Sequence, residues 1–221
     1  MIYDITPFSI IDYPNQISCI VWISGCNMRC QYCYNEHIIY GKANISKEDY
    51  EGFLKSRIGL LDGVVFSGGE CTQSPNLLEY VSIAKHLGYL IKIDSNGSNP
   101  IAINNLVDSK MVDFFAIDFK ATKEKFSTIA GYDYFDDFSE TLDILITKNA
   151  DFEVRTTWHF DLLSVKDILQ MNDFLRQKGY KNKYYLQKFV EVPNIADLKQ
   201  SVKLIDLSKF NDDFEFRNFD N

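Results

Sequence analysis

Short apolar runs alternate along this chain with stretches whose apolar residues recur every three or four positions. The runs fall at residues 17–23, 64–67, 90–94, 112–118, 152–157 and 183–189. Each has the length and the branched or aromatic content of a strand buried in a sheet. Between them, Leu77, Leu78, Val81 and Ala84 mark one face of a helix closed by Gly88, and Ser46 with Asp49 opens a helix leading into Tyr50, Phe53 and Leu54. Further helices are expected near 101–109, 138–148 and 165–177. Strand–helix alternation of this kind predicts an α/β fold with a parallel sheet of six main strands and right-handed crossovers. Both a doubly wound sheet and an open (β/α)6 barrel satisfy the pattern. The expected organisation is a single domain over 1–221, with a core of about 15–190 and a short C-terminal extension, 191–221. That tail is expected to hold a helix around 195–206 and an edge segment at 214–217.

A chain of 221 residues with 46% hydrophobic content can bury a substantial core. No apolar stretch approaches the roughly 20 residues of a membrane span, and the start lacks the basic-then-apolar pattern of an export signal. No membrane association is expected. Five cysteines, an odd count, argue against a disulfide framework and for a reducing cytoplasm. The net charge of −8 disfavours a nucleic-acid partner.

Cys26, Cys30 and Cys33 form a CxxxCxxC cluster. Three thiolates suit a 4Fe–4S cube with one corner left open for chemistry. Structural zinc takes four ligands; His37, Cys19 or Cys71 could supply a fourth only through the fold. Other candidate residues follow in order. The run 63–70 ends in Gly68, Gly69 and Glu70, where paired glycines admit close backbone approach and a carboxylate can accept from an ammonium. The run 90–97 ends in the polar cluster Asp94, Ser95, Asn96. The run 112–120 delivers Asp118 and Lys120, two apart and so on one strand face, with Phe119 between them. Arg155 and His159 lie in the run 152–159, and Gln187 in 184–189.

The octapeptide CNMRCQYC resembles the signature of radical S-adenosylmethionine enzymes, with aromatic Tyr32 before the third cysteine. The resemblance selects the partial (β/α)6 open barrel. It implies a 4Fe–4S cluster on Cys26, Cys30 and Cys33, and S-adenosylmethionine bound at the open iron. It assigns the methionine amino group to Gly68, Gly69 and Glu70. Asp94, Ser95 and Asn96 are similar to a D-T/S-N-G strand end, and Asp118, Phe119 and Lys120 to a D-L-K segment that contacts the cofactor. Arg155 matches an arginine that meets the cofactor carboxylate; His159, at the end of that strand, is a further cofactor-binding candidate, and Gln187 would face the cofactor mouth. Tyr32, Cys33 and Tyr34 are further cofactor-binding candidates, with the backbone at Tyr34 and its ring available to adenine. A monovalent cation beside Asp94 and Asp118 is implied by related activases.

The leader 7–14, with an S-x-x-D-x-P pattern, resembles the entry of glycyl-radical activases, especially those of anaerobic ribonucleoside-triphosphate reductase. That likeness implies a glycyl-radical enzyme as protein substrate and a flavodoxin or ferredoxin as electron donor. A small-molecule radical enzyme, such as a deazapurine-forming synthase, and a metal-binding scaffold without radical chemistry are the alternatives. Two departures stand out: Cys71 where proline commonly follows the glutamate, and Tyr34-Asn35 where activases commonly show histidine-asparagine.

Overall fold

In the computed structural model, which describes residues 1–219, the chain forms two compact units. The first comprises Met1–Asn27, Asn35–Ser95 and Asn99–Ala116. In it β1 (Ile2–Ser9) pairs antiparallel with β2 (Ser18–Ile23), Ile5 lying opposite Val21. Two helices follow, the single-turn α1 (Glu36–Ile39) and α2 (Lys47–Ser56). Next come β3 (Gly63–Gly68), α3 (Leu77–His86), β4 (Leu90–Ser95) and α4 (Pro100–Ser109). β3 pairs in parallel with both β2 and β4.

Local chemistry sets these boundaries. Ser46 Oγ accepts from Asp49 N–H at 3.0 Å and donates to its carboxylate at 2.7 Å, so the expected start of α2 is capped. Asn99 caps α4 by accepting from Ala102 N–H at 3.1 Å, ahead of Pro100 in the first turn. Leu77, Tyr80, Val81 and Ala84 are the buried stripe of α3.

β5 (Phe114–Asp118) begins in the first unit and ends in the second, which comprises Met28–Tyr34, Asn96–Ser98 and the chain from Ile117 on. The second unit continues with α5 (Lys123–Ala130), α6 (Phe135–Thr147), β6 (Phe152–Trp158), α7 (Val165–Lys178), β7 (Tyr184–Lys188) and β8 (Phe214–Arg217). β7 pairs in parallel with β6 and β8. α7 runs from a capping box of Ser164 and Asp167 to Gly179 at φ 92°, a left-handed C-cap. Phe119, Phe126, Phe138 and Tyr184 are among the fully buried side chains, and Phe119 stacks on Phe138 with ring centroids 4.5 Å apart.

Three features differ from expectation. β1 is a strand despite Pro7, which an edge strand tolerates because it has ladder positions that need no donor. α5 is an additional helix, short but with Phe126, Ile129 and Ala130 buried. The helix expected over 195–206 does not form. Instead Asn194 accepts from Leu198 N–H at 2.8 Å and donates to the carbonyls of Val192 and Leu198. Such local side-chain bonds compete with helical ones. Val202 and Leu204 are almost fully exposed, so no apolar face is available to reward a helix.

Candidate active site

In the first unit the ends of β2 and β3 are joined by their backbones. Gly69 N–H donates to Ile23 O at 3.0 Å, and Glu70 N–H to Gly25 O at 2.8 Å. Gly68 sits at φ +131°, and a Cβ built there would lie 2.2 Å from Ile23 O; one at Gly69 would lie 2.0 Å from Gly25 O. The glycine pair is therefore required by close approach to the segment leading into Cys26, which is half-buried.

Glu70, 2% exposed, is held by hydrogen-bond donors to Oε1: Thr72 Oγ1 at 2.6 Å, Ser95 Oγ at 2.8 Å and Thr72 N–H at 3.1 Å. These bonds fix the carboxylate and tie the end of β4 to the turn after β3. Cys71 is fully buried, and its thiol donates to Asp94 O at 3.3 Å. Burial pushes the Cys71 thiol well up, and the carboxylates of Glu70 and Asp94 push it further. Asp94 forms an ion pair with Lys92, a lysine 1% exposed.

In the second unit, the loop carrying Cys30 and Cys33 is pinned along the end of α5. Arg29 N–H donates to Ala130 O at 2.8 Å, Gln31 N–H to Ile129 O at 3.0 Å, and Gln31 Nε2 to Thr128 O at 2.8 Å. The irregular tail contributes as well, Ala196 N–H donating to Gln31 O at 3.1 Å. Cys33 N–H closes a turn on Cys30 O at 3.0 Å. Cys30 is buried and Cys33 half-buried. Burial pushes the Cys30 thiol up, with the Lys120 ammonium acting against it.

Asp118, at the end of β5, accepts from Arg155 Nε at 2.6 Å and from Lys120 Nζ at 2.9 Å. Burial acts to raise its carboxyl, but Arg155 and Lys120 outweigh it and hold it well below the usual carboxylate range. Burial acts to lower the Lys120 ammonium, and Asp118 outweighs it in turn. Phe119 is fixed from both sides: its N–H donates to Arg155 O at 2.8 Å and its carbonyl accepts from Thr156 Oγ1. Lys120 Nζ lies 6.0 Å from the ring centroid of Tyr32. The Tyr32 hydroxyl is buried with no hydrogen-bond partner among the described residues.

The remaining candidates of this unit are placed as follows. Asn96 Oδ1 accepts from Ser98 N–H at 2.9 Å, shaping a turn through Gly97 at φ +74°. Tyr34 OH accepts from Val190 N–H at 3.0 Å. Both ring nitrogens of His159 are engaged: Nδ1 accepts from Asp161 N–H at 3.2 Å, so Nε2 is the donor to Lys199 O at 2.8 Å. Gln187, half-buried, lies in register with Thr157 and Arg217.

Sequence reasoning passed over four positions that support the candidate residues. Thr72 serves Glu70, Gly25 receives the glycine pair, Lys92 pairs with Asp94, and Thr156 holds Phe119. Lys92 alone carried a readable signal, since it lies two positions before Asp94 on the same strand face. Among the described residues no three His, Cys, Asp or Glu side chains gather closely enough to hold a single metal ion.

The residues fit an iron–sulfur cluster with an attached nucleoside on two counts. The CxxxCxxC donor set would supply one thiolate to each of three corners of a cube. The Tyr32 hydroxyl is a buried polar atom awaiting a partner, a condition costing about 1–3 kcal/mol if left unmet.

A protein of Methanocaldococcus jannaschii, assigned as a glycyl-radical enzyme activating enzyme, is 31% identical over 175 residues, 76% of this chain and 72% of that protein. The 7-carboxy-7-deazaguanine synthase of Thermoplasma acidophilum is 31% identical over 101 residues, 45% of this chain and 46% of the synthase. The crystal structure of Streptococcus suis SuiB bound to precursor peptide SuiA superposes with a TM-score of 0.70 at 15% identity, covering 86% of this chain and 42% of that one. This chain thus spans under half the length of the latter two. The likeness to SuiB shows the α/β open-barrel fold. The Radical SAM superfamily profile matches residues 20–162, well over half of the sequence, and the chain belongs to that superfamily.

Proposed function

We propose that this radical S-adenosylmethionine enzyme is a glycyl-radical activase whose protein substrate is an anaerobic ribonucleoside-triphosphate reductase. The observation that carries the reading is the extent of likeness to the M. jannaschii activating enzyme. It runs over 175 residues, against 101 for the deazaguanine synthase at the same identity. The synthase match favours a small-molecule substrate as the second reading.

In this proposal Cys26, Cys30 and Cys33 hold a 4Fe–4S cluster. Bound there and reduced, such a cluster would supply the one electron that splits S-adenosylmethionine into methionine and a 5′-deoxyadenosyl radical, the species that would take a hydrogen atom from a glycine Cα. Glu70, with Gly68 and Gly69, receives the methionine ammonium; its orientation is already set by Thr72 and Ser95, so little reorganisation accompanies binding. The resemblance assigns Asp94, Ser95, Asn96, Asp118, Phe119 and Lys120 to the cofactor. Tyr32, Cys33 and Tyr34 are also assigned to the cofactor, Tyr34 to its adenine. Arg155 positions Asp118, and His159 and Gln187 are outlying members of the site.

A flavodoxin or ferredoxin supplies the electron. The reducing cytoplasm suits a chain with five free thiols, and no helix among the described residues is long and apolar enough to cross a membrane.

The test is isotopic. The reductase is prepared with glycine deuterated at Cα and incubated anaerobically with reconstituted activase, S-adenosylmethionine and reductant. Deuterium in the released 5′-deoxyadenosine supports the reading. Cofactor cleavage without deuterium transfer, together with turnover of a small molecule in the absence of the reductase, would favour the small-molecule alternative.

A further inference from the structure

The two carboxylates that related activases would lend to a monovalent cation are already paired with cations of this chain. In the first unit Asp94 forms an ion pair with Lys92, which is 1% exposed. Both residues lie on β4, two positions apart and on one face, so the pair follows from strand geometry. The same strand end serves the candidate site, since Asp94 O accepts the Cys71 thiol and Ser95 Oγ donates to Glu70. In the second unit, Asp118 Oδ1 accepts from Arg155 and Oδ2 from Lys120. An added potassium or sodium ion at either carboxylate would meet a resident ammonium or guanidinium, and like charges at that range repel strongly away from bulk water.

A lysine this deeply buried is costly unless its charge does specific work. Its ammonium has three donors, and Asp94 is its only partner among the described residues. An ammonium also approximates potassium in charge and size. We propose that the Lys92 ammonium replaces the monovalent cation in this chain, so that S-adenosylmethionine binds here without one. The buried ammonium thus already places one positive charge on Asp94, where an added cation would sit. This inference rests on the chain binding S-adenosylmethionine as proposed above. Lys92 is a positioning residue in the sense that it acts on Asp94 and on bound ligand charge, with no proton or electron transferred through it.

The test compares wild-type protein with Lys92→Ala, each anaerobically reconstituted, in potassium chloride and in tetramethylammonium chloride at equal ionic strength. Equilibrium dialysis measures the dissociation constant of S-adenosylmethionine, and thermal unfolding of the unreconstituted proteins provides a second readout that needs no cofactor. Wild type should bind the cofactor equally in both salts. Lys92→Ala should bind roughly tenfold more weakly in tetramethylammonium, the loss of one charge-assisted hydrogen bond. Potassium should restore much of that loss and raise the variant's unfolding temperature, by occupying the vacated position beside Asp94. A saturable potassium requirement in the wild type would overturn the inference whether or not the variant folds. So would a folded variant that is insensitive to potassium in both readouts. Failure of the wild type to bind S-adenosylmethionine in either salt would overturn the proposed function on which this inference rests, whereas the two preceding outcomes overturn the inference alone.

Discussion

Ser95 Oγ donates to Glu70 Oε1 at 2.8 Å, joining the end of β4 to the glycine–glycine–glutamate turn after β3. The bond makes the orientation of a buried carboxylate depend on a residue twenty-five positions away. Ser95→Ala would leave Glu70 with one donor fewer on that oxygen, at a cost of about 1–3 kcal/mol. The expected outcome is cofactor binding weakened several-fold with iron content unchanged, read by equilibrium dialysis and iron analysis on the same preparation. Loss of iron in parallel would mean that Ser95 supports the cluster loop instead.

Gly69→Ala tests the backbone join. Its Cβ would lie 2.0 Å from Gly25 O, and backbone cannot yield cheaply there. The segment entering Cys26 must shift. Cluster assembly is expected to fail along with a lower unfolding temperature, measured by iron content and circular dichroism. Full iron loading in Gly69→Ala would contradict the assigned close approach.

Arg155→Met should destabilise the fold by about 3 kcal/mol at neutral pH, the low end for breaking a buried pair, because Lys120 remains on Asp118. The pH dependence has a definite sign. Asp118 is depressed on folding, so its pairing stabilises the native state above the unfolded carboxyl value near 3.9, and that stability is lost as pH falls below it. The difference between wild type and Arg155→Met should therefore shrink below about pH 4. Urea melts across pH 3–7 measure it; a constant difference would show that Arg155 acts through packing alone.

The two cysteines outside the cluster motif should be inert in the native protein. Burial pushes the Cys19 thiol up to about 12, so at pH 8 roughly one in ten thousand is ionised. Cys71 is fully buried and its thiol is also raised. In cluster-free protein, iodoacetamide should label Cys26 and Cys33, which are partly exposed, and reach Cys19 and Cys71 only after unfolding. Peptide mass spectrometry reads the pattern directly. Early labelling of Cys71 would show that the turn after Glu70 opens.

The parallel strands were legible because each is a compact apolar run, α2 and α7 because caps and a buried stripe agree, and α3 because its buried stripe ends before Gly88 at φ +92°. β1 was hidden by Pro7 and by its exposed positions. The tail misled because Ile195, Leu198 and Val202 have near-helical spacing, while Asn194 and the lack of a packing surface decide against the helix. Of the candidate site, the residue types could be read and their partners could not. That Glu70 depends on Ser95, or Phe119 on Thr156, is set by neighbouring strands rather than neighbouring positions. The pair Lys92–Asp94 was within reach, since both lie on one strand face, but a lysine in an apolar run reads first as a solvent-facing residue.

On the proposed function, three thiolates leave one iron able to bind and split S-adenosylmethionine. The most direct measurement is 5′-deoxyadenosine released when the anaerobically reconstituted protein is reduced with dithionite in the presence of the cofactor. Release by wild type, abolished when any of Cys26, Cys30 or Cys33 is replaced by alanine, is the predicted result. A fully loaded, reduced protein that releases none would contradict the account.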